Sequence, residues 1–149
     1  MTLDEIKALI ASGENESKYL EFKEARALPE KTNNHFREEL SKDVSSFANS
    51  AGGKIIYGVA ENPLHLDAFD RKLCSLERLQ NLINSHIAPK IPGLHIYPIP
   101  VEDEKILYVV EIPQGKTAHQ AADRKYHKRH EGTIEAMEDY EIRDVMARK

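Results

Sequence analysis

The feature that most constrains this chain is a long amphipathic helix pattern that ends at two glycines and passes directly into an apolar strand. Asn33 or Asn34 can cap the helix, because a side-chain amide oxygen accepts from the free N–H groups of the first turn. Gly52 and Gly53 end it, and the apolar run 54–59 is typical of a strand. A P-loop places its strand before its helix, so nucleotide binding by that route is excluded. Five apolar residues recur at helical spacing along the helix: Phe36, Leu40, Val44, Phe47 and Ala51.

Helix and strand patterns alternate along the rest of the chain, without an internal repeat. A length of 149 residues is common for a single domain, and we predict one domain over residues 1–149. The predicted order, α-β-α-β-α-β-β-β-α, favours an α+β fold in which helices flank a mixed β-sheet. The other predicted elements are a helix begun by a Thr2/Glu5 capping box, a strand over 19–24, a helix from Ser75 to Pro89, a hairpin of 94–101 with 106–112, a strand over 124–130 and a last helix capped by Asp139.

Composition excludes several classes of protein. The single cysteine, Cys74, cannot form an internal disulfide, and we interpret it as a buried packing residue. The N-terminal segment lacks the pattern of a signal peptide, and no run approaches the roughly 20 apolar residues of a membrane span. We therefore expect a cytoplasmic location and no membrane partner. The net charge of -4 argues against a uniformly basic nucleic-acid binder. Binding of nucleic acid would therefore require the positive charge to be concentrated in one segment.

Positive charge is concentrated between residues 114 and 130, where Asp123 is the single acid. Lysine and arginine meet phosphates, and an aromatic ring among them can stack on a base, as in single-strand and RNA binding. The alternative is a solvated edge strand protected by its charges, which has about equal weight on this segment alone. The predicted nucleic-acid contacts are Lys116, His119, Arg124, Lys125, Tyr126, Lys128 and Arg129.

Acidic residues before and after the strand predicted over 54–59 form a second candidate site. Glu21 and Lys23 share one face of the predicted strand, an arrangement with which a phosphodiester hydrolase binds a divalent ion and steadies negative charge. Glu16 joins them only if the chain bends before the strand, and Glu61, at the end of the next strand, is the candidate third metal ligand. The alternative is a surface strand with solvated acids. So short a pattern belongs to such a strand more often than to a metal site.

Three segments, in this order, resemble the Schlafen AlbA-like domain, which is also known as a divergent ATPase-associated module. The first is Glu16 followed by Leu-Glu-Phe-Lys at 20–23, and the second is the run 43–59, with Phe-Ala-Asn-Ser-Ala-Gly-Gly at its centre. The third is the run 113–129, with Tyr-His-Lys-Arg at its end, before a closing helix with an acidic cap. The resemblance covers practically the whole chain.

The resemblance implies contact with nucleic acid in one of two forms. In many bacterial and archaeal proteins such a domain precedes a DNA-binding helix-turn-helix region and serves transcription regulation. In vertebrate Schlafens, similar domains form an endoribonuclease that cuts tRNA and rRNA with a divalent metal ion, two glutamates and an aspartate. By motif position the glutamates match Glu16 and Glu21, and the third acid falls at Ala60 or Glu61. Two such units close around the substrate there, so a homodimer is the corresponding expectation.

Three functions stay open at this point. The first, which we favour, is a module that binds DNA or RNA, regulatory and dimeric. The second is an endoribonuclease for structured RNA such as tRNA, with Glu16, Glu21 and Lys23 as catalytic residues and Mg²⁺ or Mn²⁺ held by Glu16, Glu21 and Glu61. The third is a regulatory or scaffolding homodimer that makes no contact with nucleic acid.

Overall fold

A computed structural model describes residues 1–13 and 16–149. Over these residues the chain forms four α-helices, a short 3-10 turn at Ala25–Ala27 and nine strands. None of the described helices has both the length and the apolar character needed to cross a membrane. The helices are α1 (Leu3–Ser12), α2 (Asn34–Asn49), α3 (Leu76–His86) and α4 (Asp139–Met146). The strands are β1 (Leu20–Lys23), β2 (Gly53–Tyr57), β3 (Val59–Ala60), β4 (His65–Leu66), β5 (Phe69–Asp70), β6 (His95–Pro100), β7 (Lys105–Ile112), β8 (His127–His130) and β9 (Thr133–Ala136).

The central sheet is mixed, as the element order predicts. Strand β1 runs parallel to β2, with Glu21 opposite Ile55, and β2 runs antiparallel to β7. Strand β7 also pairs with β6 over its length and with β5 at its start. Two small sheets, β3 with β4 and β8 with β9, lie beside the central one. The α+β class and the hairpin predicted from residues 94–112 are confirmed.

Helices cover both faces of the central sheet because its inner strands alternate buried residues between two cores. Ile55 and Tyr108 point to the face covered by α2 and α3. Their neighbours Ile56 and Val109 point to the other face, where Ile6 of α1 is completely buried. Strands β2 and β7 are therefore buried on both faces, which explains why their sequences read as apolar runs and not as alternating ones.

The helix–glycine–strand run positions the centre of the fold. The side-chain oxygen of Asn33 accepts from the N–H of Phe36 at 2.8 Å, so Asn33 is the N-cap of α2. Gly52, at φ 76°, donates its N–H to the Phe47 carbonyl at 2.8 Å and closes the helix end. A β-carbon on Gly53 would lie 2.6 Å from the Phe47 ring, so β2 begins where a side chain has no room.

Three predicted boundaries are wrong, each for a local reason. The strand predicted over 54–59 breaks at Gly58, which has a φ of 109° and where a β-carbon would lie 2.5 Å from the Leu107 side chain. The short strands β3, β4, β5 and β9 were not predicted. The last helix is capped by Glu138 in a reciprocal capping box, not by Asp139. Ala51 lies beyond the end of α2 and is exposed.

The strand predicted over 124–130 is shorter than expected. Arg124 has a φ of 64° and donates its N–H to the Ala121 carbonyl, so residues 121–125 form a turn. Strand β8 begins only at His127. The turn places Arg124 and its neighbours outside any strand.

Candidate carboxylate site and basic surface

The bend that the acidic site requires is present before β1. The N–H of Ser17 donates to the Leu20 carbonyl at 2.9 Å, which turns the chain back on itself. The N–H of Phe22 then donates to the Glu16 carboxylate at 3.2 Å. Glu16 thereby returns to the strand that carries Glu21, although an unbroken strand would point the two side chains apart.

A cavity of about 490 Å³ lies where β1 and β3 end. Glu61 follows β3 directly, and its side chain is exposed. The structure therefore brings together all four residues of the predicted acidic site in one cavity: Glu16, Glu21, Lys23 and Glu61.

Negative charge is crowded around Glu16. Burial raises the pKa of the Glu16 carboxyl to about 8, and the charge of Glu21 and a hydrogen bond with Glu61 act in the same direction. The N–H of Phe22 opposes them more weakly. Near neutral pH a large share of Glu16 is therefore protonated, because burial together with the neighbouring carboxylates disfavours its charged form.

Glu21 is held by two cations from different parts of the chain. One of its carboxylate oxygens lies 2.5 Å from a guanidinium nitrogen of Arg129, and the other lies 3.8 Å from the ammonium of Lys23. Lys23 also pairs with Asp43 of α2 at 3.1 Å.

Burial raises the pKa of Asp43 to about 6, against the lowering effect of Lys23. The charges of Asp43 and Glu21, acting against burial, raise the pKa of Lys23, so the lysine stays charged.

The Arg129 side chain is completely buried behind this pair. It donates to the carbonyls of Ser17 at 2.8 Å and Leu20 at 3.1 Å, and its guanidinium lies 4.3 Å from the centroid of the Phe47 ring. Its third nitrogen, Nη1, has no hydrogen-bond partner among the described residues. Arg129 therefore holds the bend before β1 from the protein interior.

The basic segment divides into exposed and buried residues. Lys116, Arg124 and Lys125 are exposed, and none of the three forms an ion pair within the described chain. Tyr126 is half-buried, and Lys128 binds Glu141 of α4 at 2.6 Å.

His119 belongs with Arg129 among the buried members of the segment. Its ring Nδ1 lies 2.6 Å from the Pro89 carbonyl, and its backbone N–H donates to the side-chain oxygen of Asn49. The exposed members alone can meet a ligand on the surface of this structure.

Comparison with protein-family models gives one match, to the family described as Schlafen, AlbA_2, over residues 16–138. The chain belongs to this family. The family-level resemblance predicted from the three sequence segments is thereby confirmed, and Schlafen AlbA_2 membership links the chain with a nucleic-acid-related role.

A solved structure supports the Schlafen AlbA_2 fold. The DIP2311 protein from Corynebacterium diphtheriae superposes with a TM-score of 0.70 at 14% sequence identity. The alignment covers 96% of this chain but only 27% of the DIP2311 chain, so the domain spans about a quarter of that protein. At this identity the likeness shows the fold alone. No curated protein matches the chain significantly.

Two residues of this Schlafen AlbA_2 domain were not predicted as part of the site. The Asn49 amide donates to the carbonyls of His119 and His127, both at 2.9 Å, and so ties the C-terminal segment to α2. Asp43 holds Lys23. Both are polar residues at buried positions of an apolar helix face, and this is the sequence signal that could have found them.

The donor chemistry of the Schlafen AlbA_2 cavity fits a hard divalent cation. Carboxylate oxygens are the ligands that Mg²⁺ and Mn²⁺ prefer. Across residues 1–13 and 16–149, however, no three His, Cys, Asp or Glu side chains stand in an arrangement that could hold a metal ion. Glu16 and Glu61 are the residues that could hold the ion, since Glu21 already faces two cations and the exposed Glu61 side chain can reorient.

Proposed function

We propose that this chain is a nucleic-acid-binding module. The observation that carries the proposal is that three cations of the basic segment 114–130 are exposed and form no ion pair within the described chain: Lys116, Arg124 and Lys125. Cations that are already free can neutralise phosphates without breaking an internal contact, and phosphate contacts supply most of the sequence-independent affinity. Membership of the Schlafen AlbA_2 family supports the same role.

The structure narrows the predicted interface. The buried Arg129 and His119 support it from within, and Lys128 would have to leave Glu141 to meet a phosphate. Tyr126, half-buried next to the turn, keeps part of its ring available for stacking. The proposed interface therefore consists of the turn 121–125, Tyr126 and the loop that carries Lys116.

Salt-dependent binding tests this proposal. Fluorescence anisotropy with single-stranded RNA, single-stranded DNA and tRNA should show affinity that falls steeply between about 50 and 200 mM salt. The double substitution Arg124→Ala with Lys125→Ala removes two phosphate contacts, and we expect the logarithmic salt slope for a single strand to decrease by about 1.4.

Lys72→Ala is the matched control. Lys72 is also exposed, but it follows β5 at the end of β7 opposite to Lys116, and we expect its substitution to leave the slope unchanged. Binding that ignores salt, or equal losses in both variants, would contradict the proposed interface. A protein that binds no nucleic acid at any salt concentration and has twice the monomer mass in light scattering would instead support a scaffolding homodimer.

A second function, metal-dependent cleavage of structured RNA, is favoured by the carboxylate cavity. Glu16 and Glu61 lie together there, and the pKa of Glu16 is raised first by burial and then by the neighbouring Glu21 and Glu61, whose negative charge a cation would offset. A bound Mg²⁺ or Mn²⁺ would polarise a phosphoryl oxygen and make bound water more acidic. Glu21 would orient the site through its pair with Arg129, and Lys23 would contribute a fixed positive charge.

Incubation of the protein with tRNA, with Mn²⁺ or with a chelator, distinguishes a binder from a nuclease. Glu16→Gln combined with Glu61→Gln should abolish Mn²⁺-dependent cleavage and leave the fold intact, because neither side chain pairs with Arg129. The control is Glu24→Gln, which changes a carboxylate of the same cavity that pairs with exposed Arg26. Cleavage that survives the double substitution would exclude this site as the source of the activity.

A further inference from the structure

The turn before β1 presents an exposed aromatic ring beside a lysine. Tyr19 is 53% exposed, although tyrosine carries a large apolar ring. The ammonium of Lys18 lies 5.0 Å from the centroid of that ring. A ring with a cation over one face leaves its other face for a flat base, and the cation can meet a phosphate of the same nucleotide.

Tyr19 stands at the edge of an apolar groove of about 520 Å³. The groove lies across the start of β2 and the end of β7, and it is separate from the carboxylate cavity, with which it shares no lining residue. Lys54 and Glu111 are its charged side chains. Its apolar lining is Leu9, Leu20, Gly53, Gly93, Ile112 and Pro113.

The ring-bearing turn is fixed by three contacts of the backbone. The N–H of Tyr19 donates to the Ser17 hydroxyl at 3.1 Å, and the carbonyl of Tyr19 accepts from the N–H of Lys54 at 2.9 Å. From beneath, Arg129 binds the carbonyl of Ser17. A ligand that stacks on the ring therefore meets a backbone that is already ordered, which reduces the entropy cost of binding.

The charge around the groove complements phosphate. Lys54 and one carboxylate, Glu111, are the charged side chains that line the groove, and Lys18 lies over the Tyr19 ring. That carboxylate is occupied, because the Tyr97 hydroxyl donates to it at 2.5 Å. The two lysines outnumber that carboxylate, so the surplus charge near the ring is positive.

We propose that this groove is a base-stacking subsite for single-stranded nucleic acid. One base lies on the Tyr19 ring over the apolar floor, and the phosphates that flank it meet Lys18 and Lys54. This inference rests on the proposed binding function and adds a site that the basic segment does not contain. Buried Arg129 acts here as a positioning residue, since it holds the turn that carries the ring.

A single tryptophan reports directly on stacking. The chain contains no tryptophan, so Tyr19→Trp introduces the only indole, and Tyr140→Trp is the matched control at a tyrosine that is 62% exposed on α4. Addition of a uridine-only RNA dodecamer should quench the fluorescence of the first variant and leave that of the second unchanged. Quenching equal in both variants, or in neither while the RNA binds, would overturn the inference.

Affinity gives the second measurement. Tyr19→Ala should weaken binding of the dodecamer about 5- to 100-fold, as expected for the loss of one stacked base, whereas Tyr19→Phe keeps the ring and should bind like the wild type. The control Tyr140→Ala should also bind like the wild type. An abasic backbone of the same length should bind the Tyr19→Ala variant and the wild type equally, because it has no base to stack.

The outcomes separate this inference from the function on which it rests. If Tyr19→Ala binds like the wild type while the Arg124→Ala/Lys125→Ala variant binds weakly, the subsite is refuted and the binding module stands. If the wild type binds neither single strands nor tRNA, both are refuted, and if it binds tRNA but no single strand, only the subsite is refuted. If an apolar peptide quenches Tyr19→Trp and the RNA does not, the groove is a protein-docking surface and the inference is wrong.

Discussion

Replacement of Arg129 by alanine removes a completely buried guanidinium that connects strand β8 with the bend before β1. Two carbonyls, of Ser17 and Leu20, lose their donor, and the Glu21 carboxylate keeps only Lys23 at 3.8 Å. Loss of one partner of a buried ion pair costs about 3–5 kcal/mol, because the other charge stays buried without compensation. The free energy of unfolding of an ordinary domain is about 5–15 kcal/mol, so we expect this substitution to remove a fifth or more of the total.

Urea denaturation followed by circular dichroism measures this loss as a change in the free energy of unfolding. The control is Arg143→Ala, which breaks a pair with Asp139 whose side chains are 79% and 75% exposed and which is worth about 0–1 kcal/mol. Arg129→Lys should fall between the two, since a lysine keeps the charge but lacks the planar fork with which the guanidinium reaches two carbonyls and Glu21 at once. A loss below about 1 kcal/mol for Arg129→Ala, equal to that of the control, would refute the buried clamp and with it the positioning role of Arg129.

Three further predictions concern single groups. Burial raises the pKa of Asp43 from its ordinary value of 3.8 to about 6, so its contribution to stability is complete below the unfolded pKa and is lost as the pH rises through 6. Urea titrations should show the wild type losing about 2 kcal/mol relative to Asp43→Asn between pH 4 and 7, and a wild type that instead gains stability relative to Asp43→Asn as the pH rises would show that the pair with Lys23 dominates. If Mn²⁺ binds the carboxylate cavity, calorimetry should show its affinity rising about tenfold per pH unit below pH 8, as Glu16 releases its proton, and Glu16→Gln should remove this slope. Gly53→Ala should cost about 1–3 kcal/mol in thermal unfolding, because the new methyl group would lie 2.6 Å from the Phe47 ring; an unchanged melting temperature would contradict this packing.

Much of the fold follows from patterns that a short window of sequence contains. The apolar stripe from Phe36 to Phe47 buries one face of α2, and the amide of Asn33 caps the helix. Gly52 and Gly53 then connect α2 to β2. The predicted elements are wrong where backbone conformation, and not the pattern of polar and apolar residues, determines where a strand begins or ends. Gly58 and Arg124 adopt positive φ angles that end a strand pattern, and such an angle depends on the neighbours that pack against the residue.

The acidic site could be predicted as a set of residues but not as a geometry. Period two places Glu21 and Lys23 on one strand face, and the structure shows them 3.8 Å apart. The position of Glu16 depends on the bend at 17–20, which is held by Arg129 from a segment 112 residues away in sequence. Contacts of this separation leave no trace in a local pattern.

The same reason explains why the basic segment divides between the interior and the surface. Alternation along β8 requires that Arg129 and Lys128 point to opposite sides, but every side chain of this strand is polar, so alternation alone cannot say which side is buried. The buried side is determined by acceptors elsewhere in the chain. Arg129 is buried because its planar guanidinium can bind Glu21 and two backbone carbonyls at once. Lys128 then faces Glu141 at the surface. A cluster of cations in a sequence therefore gives an upper limit to the charge that a nucleic acid meets, and the cations outside the strand are the ones whose substitution should change the salt dependence of binding.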